Sequence, residues 1–206
     1  SGQPYWDELF KPDTLRPSDI AVDSQGSIYV SSFLNSYNHG GVYKSTDNGL
    51  TWSWKGPWYN RKCITIHNDI ILVGGHGIHK STDYAESWTW VFTQVSDIHE
   101  IRHIDSTIFI ATGVNRIYRS TDNGDTWTEV FHNENYQQYE EDYTDVVFSE
   151  RDNVIYVVSR TLYGGVGWVY RSFDMGLTYE PIESWYATMP YSALLTCVMD
   201  NDGNLI

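Results

Sequence analysis

Short runs of alternating apolar and polar residues recur along the chain, each closed by Gly, Asn or Asp, and no long stretch keeps an apolar face at helical spacing. The runs come in sets. Residues 18–23, 27–32 and 41–45 are followed in the same order by 63–67, 70–75 and 77–81, then by 101–105, 107–112 and 116–120, and finally by 144–148, 154–159 and 168–172. Each set ends on a turn and a further aromatic-led run. The pattern predicts four-stranded antiparallel units, strands A to D, at 18–58, 61–95, 98–132 and 143–184, in an all-β chain.

The turn between strands C and D is the most regular feature. STDNGLTW at 45–52 recurs as STDYAESW at 81–88, STDNGDTW at 120–127 and SFDMGLTY at 172–179. Asp47, Asp83, Asp122 and Asp174 are placed to accept backbone N–H bonds inside a tight turn. Gly49, Gly124 and Gly176 supply positive φ, and Ala85 in their place predicts a strained or reshaped second turn. Trp52, Trp88, Trp127 and Tyr179 are expected to fold back over the hairpin.

These segments resemble the Asp-box, or BNR, repeat, over nearly the whole chain. The resemblance implies a β-propeller, and the physics agrees: a single four-stranded unit leaves a face bare, so units stack radially as blades. Residues 5–10 align with the strand D at 126–131, and residues 195–206 align with strands A and B of the first unit. An orphan strand D at 4–11 and a partial blade 5 at 194–206 are therefore expected. Together they make four complete blades plus an incomplete fifth, in an open or truncated ring. A ring cut from a longer propeller and an edge completed by self-association are the two accounts of that ending.

Composition narrows the partners. A formal charge of −14 argues against nucleic acid, whose affinity rests on Lys and Arg neutralising phosphates, and favours a neutral or cationic partner. No run approaches the roughly 20 apolar residues that cross a bilayer, so no membrane insertion by a helix is expected. Cys63 and Cys197 fall on inner strands of blades that are not neighbours, which predicts two free thiols. The histidines show no metal spacing, and each box offers one carboxylate, too few oxygens for calcium, so no metal or cofactor is expected.

Strand direction puts the B–C and D–A loops at one end and the boxes at the other. The long insertions fall at the loop end, and rigid scaffolds carry function on such loops. Candidate ligand-binding residues there are Tyr37, Trp58, Tyr59, Tyr139, Tyr163, Trp185 and Tyr186, suited to stacking on sugar rings or apolar side chains. Arg61, Arg116 and Arg160 share that end and could hold a carboxylate. The competing reading is that several of these aromatics cover seams between blades.

Asp19 and Asp145 sit at equivalent positions at the start of strand A in blades 1 and 4. Paired carboxylates at a cleft are what glycoside hydrolysis needs. Matching repeat positions favour a structural job instead, accepting backbone N–H bonds from neighbours. Lys44, Lys80, Arg119 and Arg171, each just before a box, likewise read as structural.

The resemblance implies a set of functions: sialidases, xyloglucanase-like hydrolases, sorting receptors and assembly factors, with an extracellular or periplasmic location. A sialidase would bring an arginine triad and an Arg-Ile-Pro motif, of which Leu15-Arg16-Pro17 is only a fragment. The expectation is a non-catalytic binding or scaffold propeller for a glycan or a protein segment, using the aromatic loop face. The alternative is a glycoside hydrolase, xyloglucanase-like or sialidase-like, or a piece of one.

Overall fold

The computed structural model describes residues 16–33, 40–58, 61–132, 141–161 and 167–182, and all of them are strand, turn or loop. The orphan strand at 4–11 and the partial blade at 194–206 lie outside the described residues, as does Cys197. Blade 1 comprises β1 (Arg16–Val22), β2 (Ile28–Phe33), β3 (Gly41–Ser45) and β4 (Ser53–Gly56), hydrogen-bonded in chain order. Blade 4 repeats that order with β11 (Glu141–Ser149), β12 (Val154–Thr161), β13 (Val169–Ser172) and β14 (Glu180–Pro181).

The two middle blades are continuous. β5 (Arg61–His67), β6 (Ile70–Ser81), β7 (Thr89–Asp105), β8 (Ile108–Gly113), β9 (Arg116–Ser120) and β10 (Thr128–His132) form one six-stranded sheet. Residues 70–75 of β6 pair with β5 while His76, Ile78, His79 and Lys80 pair with β7, so strands B and C of blade 2 share one run. β7 does the same at the next boundary. Thr89, Trp90 and Phe92 pair with blade 2, and Ile98 onward pairs with blade 3.

Strand A of each blade neighbours strand A of the next, in the order β1, β5, β7, β11. Side chains alternate across each strand, so every blade has one face turned to its predecessor and one to its successor. The core lies between blades. Tyr29 and Val42 of blade 1 pack with Ile64, Ile71 and Val73 of blade 2, and Ile110 and Ile117 of blade 3 pack with Val146 and Ile155 of blade 4. Burial on both faces explains the run of apolar residues at 70–73, which has no polar alternation.

The box turns close by one repeated set of bonds. Asp47 Oδ1 accepts from Thr51 N at 2.8 Å, its Oδ2 accepts from Thr51 Oγ1 at 2.5 Å, and Ser45 Oγ accepts from Gly49 N at 2.8 Å. Boxes 2, 3 and 4 keep the same pattern on Asp83, Asp122 and Asp174. Trp52 and Trp127 fold back to donate to Gly49 O and Gly124 O, at 3.0 and 3.1 Å. Trp88 differs: its indole N–H reaches Lys55 O of blade 1 at 2.8 Å.

Box 2 keeps its hydrogen bonds and holds Ala85 at φ +70°. The side chain that faces it differs from those that face Gly124 and Gly176. A Cβ on Gly124 would meet Leu72 Cδ1 at 2.8 Å and one on Gly176 would meet Ile110 Cδ1 at 2.6 Å. The matching position in blade 1 is Tyr29, whose hydroxyl is tied to Asp23 Oδ2 at 2.9 Å, and Ala85 is buried beside it.

Candidate functional site at the loop-bearing end

Every strand A carries a β-bulge near its start, at Pro17/Asp19, Arg61/Cys63, Ile98/Glu100 and Tyr143/Asp145. A bulge inserts one residue and re-aims it. In three of the four blades the inserted residue reaches the next blade. Ser18 Oγ donates to Arg61 O at 2.6 Å, Lys62 Nζ lies 3.3 Å from Asp97 Oδ2 and 3.2 Å from His99 Nε2, and His99 Nε2 lies 3.0 Å from Asp142 Oδ1. Asp142, nearly fully buried, also accepts from Arg160 Nε and Nη2 at 3.1 and 2.8 Å. A polar chain thus crosses blades 2, 3 and 4 from Lys62 to Arg160. Burial pushes the His99 imidazole below its ordinary range against the opposing pull of Asp142.

The residue after each bulge is Asp19, Cys63, Glu100 or Asp145. Asp19 Oδ2 accepts from Ile64 N of blade 2 at 2.9 Å and its Oδ1 from Ile20 N at 2.8 Å. Asp145 Oδ1 accepts from Val146 N at 2.8 Å and lies 3.8 Å from Arg102 Nη2. Glu100, whose side chain is 14% exposed, lies 3.1 Å from Arg102 Nε. Burial above all, with Asp19 and Asp145 adding to it against Arg102, pushes its carboxyl up to about 8. The Cys63 thiol is free, buried and pushed well up by burial and by the Glu100 and Asp19 charges, so it is an inert core residue.

Trp58 stands at the same end, 54% exposed, with its ring 4.7 Å from the ring of Trp54 at 60°. Arg61 is fully buried behind it, and its Nη2 donates to Trp58 O at 3.2 Å. A buried guanidinium shapes this loop from beneath instead of meeting a ligand directly. Arg116 is ion-paired to Glu129 on the neighbouring strand. Arg160, held by Asp142, keeps part of its guanidinium exposed. Tyr37, Tyr59, Tyr139, Tyr163, Trp185 and Tyr186 lie outside the described residues.

The sequence pairs Asp19 with Asp145, reads His99 as a satisfied polar residue and Asp142 as part of an acidic run at 140–142, and gives Glu100 and Lys62 no role. The bulge hid them: it offsets strand A by one residue, and only pairing Glu100 with Thr112, as Asp19 pairs with Ser31, reveals the equivalence. Among the described residues no three His, Cys, Asp or Glu side chains converge as metal ligands. A polar cleft of about 270 Å³ lies at the opposite, Asp-box end, lined by Lys80, Ser81, Thr82, Ser87, Thr89, Val91 and Asp125. Its salt bridge, Lys80 to Asp125 at 2.7 Å, joins blades 2 and 3, so it reads as an inter-blade seam.

Comparison with known proteins bears on the fold. The BNR/Asp-box repeat model matches residues 118–129. No curated protein sequence matches the chain. Among solved structures, the GH74 xyloglucanase from Xanthomonas campestris superposes with a TM-score of 0.69 at 14% identity, over 88% of this chain and 33% of that one. A catalytically inactive virginiamycin B lyase from Staphylococcus aureus, solved with quinupristin, gives 0.69 at 16% identity over 96% and 64%. The Hadza microbial sialidase gives 0.61 at 15% identity over 90% and 50%. The chain therefore spans a third to just under two thirds of these structures. With four box turns, neighbouring strands A and these superpositions, the chain has a β-propeller fold, and the BNR/Asp-box repeat is matched in its third box.

Proposed function

We propose that this chain is a non-catalytic binding propeller that takes a glycan at its loop-bearing end, with Trp58 as the stacking platform. One observation carries the reading: a half-exposed indole, braced edge-on by Trp54, whose carbonyl is fixed by the buried guanidinium of Arg61. A pre-positioned aromatic ring loses little freedom on binding and presents an apolar face to a sugar ring. Lys62, His99 and Arg160 at the same end offer hydrogen-bonding groups for hydroxyls, already oriented by Asp97 and Asp142.

A hydrolase is the second reading, and Glu100 is what favours it. A carboxyl held protonated near neutral pH beside Asp19 and Asp145 has the acid-and-carboxylate split that glycoside hydrolysis uses. Against it, Asp19 and Asp145 spend oxygens on backbone N–H groups. A glycan array run beside an assay for reducing-sugar release separates the two. Binding without turnover is expected. Turnover abolished by Asp145→Asn or Glu100→Gln would replace the binding reading with the hydrolytic one.

A further inference from the structure

His67 closes β5 and His103 lies near the end of β7, so the two stand on the innermost strands of blades 2 and 3, at the Asp-box end. In the hydrogen-bonded order β6 separates β5 from β7, and the seam between them is made by side chains. The histidines meet across it as a stack, with ring centroids 3.3 Å apart and planes 15° from parallel. Phe109, fully buried on β8, sets its ring against both, 5.4 Å from His103 and 6.2 Å from His67.

Both residues depart from the repeat. By strand register His103 takes the position of Val22, Ile66 and Phe148 in the other strands A, and His67 that of Asp23 and Ser149 in blades 1 and 4. Asp23 and Ser149 hold their own hairpin turns, accepting from Ser27 N at 2.8 Å and from Asp152 N at 3.4 Å. His67 faces the next blade instead. Among the described blades, this is the one seam where two titratable rings replace an apolar residue and a turn residue.

Neither neutral ring can take a second proton without loss. Asn68 Nδ2 donates to His67 Nε2 at 2.8 Å, so protonation of that nitrogen sets two donors face to face. His103 Nε2 is buried without a hydrogen-bond partner, so a proton there has no acceptor. Burial pushes both imidazoles below the ordinary histidine range; on His103 the His67 ring adds to this, while the backbone and carboxylate of Asp105 oppose it. Asp105 is the charge that faces the pair. Around it β6 offers Ile70 and β8 offers Ile108, Asp69 in the β5–β6 turn is held by Ser24 Oγ and Tyr84 OH, Asp23 beyond β1 is tied to its own turn, and Arg102 on β7 turns to Glu100. We propose that His67 and His103 form an acid-sensitive latch: the seam between blades 2 and 3 is shut at the box end while both rings are neutral, and opens there when the pair takes up a proton. Two like charges at stacking distance repel, so the second proton enters only after the rings part. The latch contributes to stability in full above the ordinary histidine pKa, and its contribution is lost as pH falls below that value.

NMR titration of the histidine rings and amide hydrogen exchange, both on the full chain, test this. Exchange is read as protection factors, which remove the intrinsic pH dependence of the amides. Between pH 7 and pH 5 the amides of residues 66–68 and 103–105 should lose at least tenfold more protection than those of 146–148 in blade 4. The two rings should take up protons in separate steps, both below about pH 6.5. His103→Phe puts at the seam the side chain that blade 4 carries as Phe148, and should hold the difference between the blades within about twofold. His67→Ser, which copies Ser149, should do the same and carries the comparison if the first variant fails to fold. Equal loss of protection at the seam and in blade 4 overturns the proposal. So does a parent-like loss in the folded variants, or independent protonation of both rings near pH 6.5.

Discussion

At the scale of single residues, the box turns show how a neighbour decides what a turn tolerates. Gly124→Ala places a Cβ 2.8 Å from Leu72 at φ +81°, and should cost about 2 kcal/mol or more in denaturant unfolding. Ala85→Gly relieves a positive φ but empties a buried methyl position, so its net effect should stay within about 1 kcal/mol. Equal losses for the two variants would contradict the seam geometry. Titration gives a second test. Glu100 has a folded-state pKa raised to about 8, chiefly by burial, so its contribution to stability is full below the ordinary glutamate pKa and is lost as pH rises through about 8. Parent protein should therefore lose thermal stability progressively from about pH 5 to pH 8 and level off above that, and Glu100→Gln should flatten that slope. Asp47 and Asp83 titrate the other way. Hydrogen bonds from Thr51 and Ser87 hold them down to about 2, so their contribution is present above pH 4 and disappears as pH falls toward 2. The roles of the box aspartates were legible in the sequence because their partners lie within four residues, whereas that of Trp88 was not, its acceptor being Lys55 O of blade 1. Glu100 was not, since its role depends on a bulge and on charges from blades 1 and 4.

Among the elements, strand A links sequence to architecture. In three of the four blades its bulge turns one side chain toward the next blade, and in blade 1 the residue after it reaches that blade's backbone. Asp19 is the plainest case. Its carboxylate accepts from Ile64 N, and Ile64 is almost fully buried. Asp19→Ala leaves that N–H without its acceptor and should cost about 1–3 kcal/mol, with hydrogen exchange at Ile64 rising more than at Ile101. A uniform change across strands would count against a local inter-blade tie. Strand order within blades was readable from alternation and turn spacing. The fusion of blades 2 and 3 into one sheet was not: it depends on backbone pairing along β6 and β7, where no Gly or Pro signal at residues 93–97 announces continuity or a break.

For the molecule as a whole, the motif that identifies the fold and the residues proposed to bind lie at opposite ends. The box end ties blades together through Lys44, Lys80 and Arg119. The other end carries the Trp54–Trp58 pair and the chain from Lys62 to Arg160. Repeats make the scaffold readable and the ligand unreadable, because stacking physics is shared by every blade whereas a site is built where one blade departs from the rest. The most direct test is titration of an array-selected glycan against the parent, Trp58→Ala and, as a control at the box end, Lys80→Met. The account predicts that Trp58→Ala weakens binding at least tenfold while Lys80→Met stays within twofold of the parent. The reverse order, with Trp58→Ala binding as the parent does and Lys80→Met losing affinity, would contradict it and move the site to the Asp-box end.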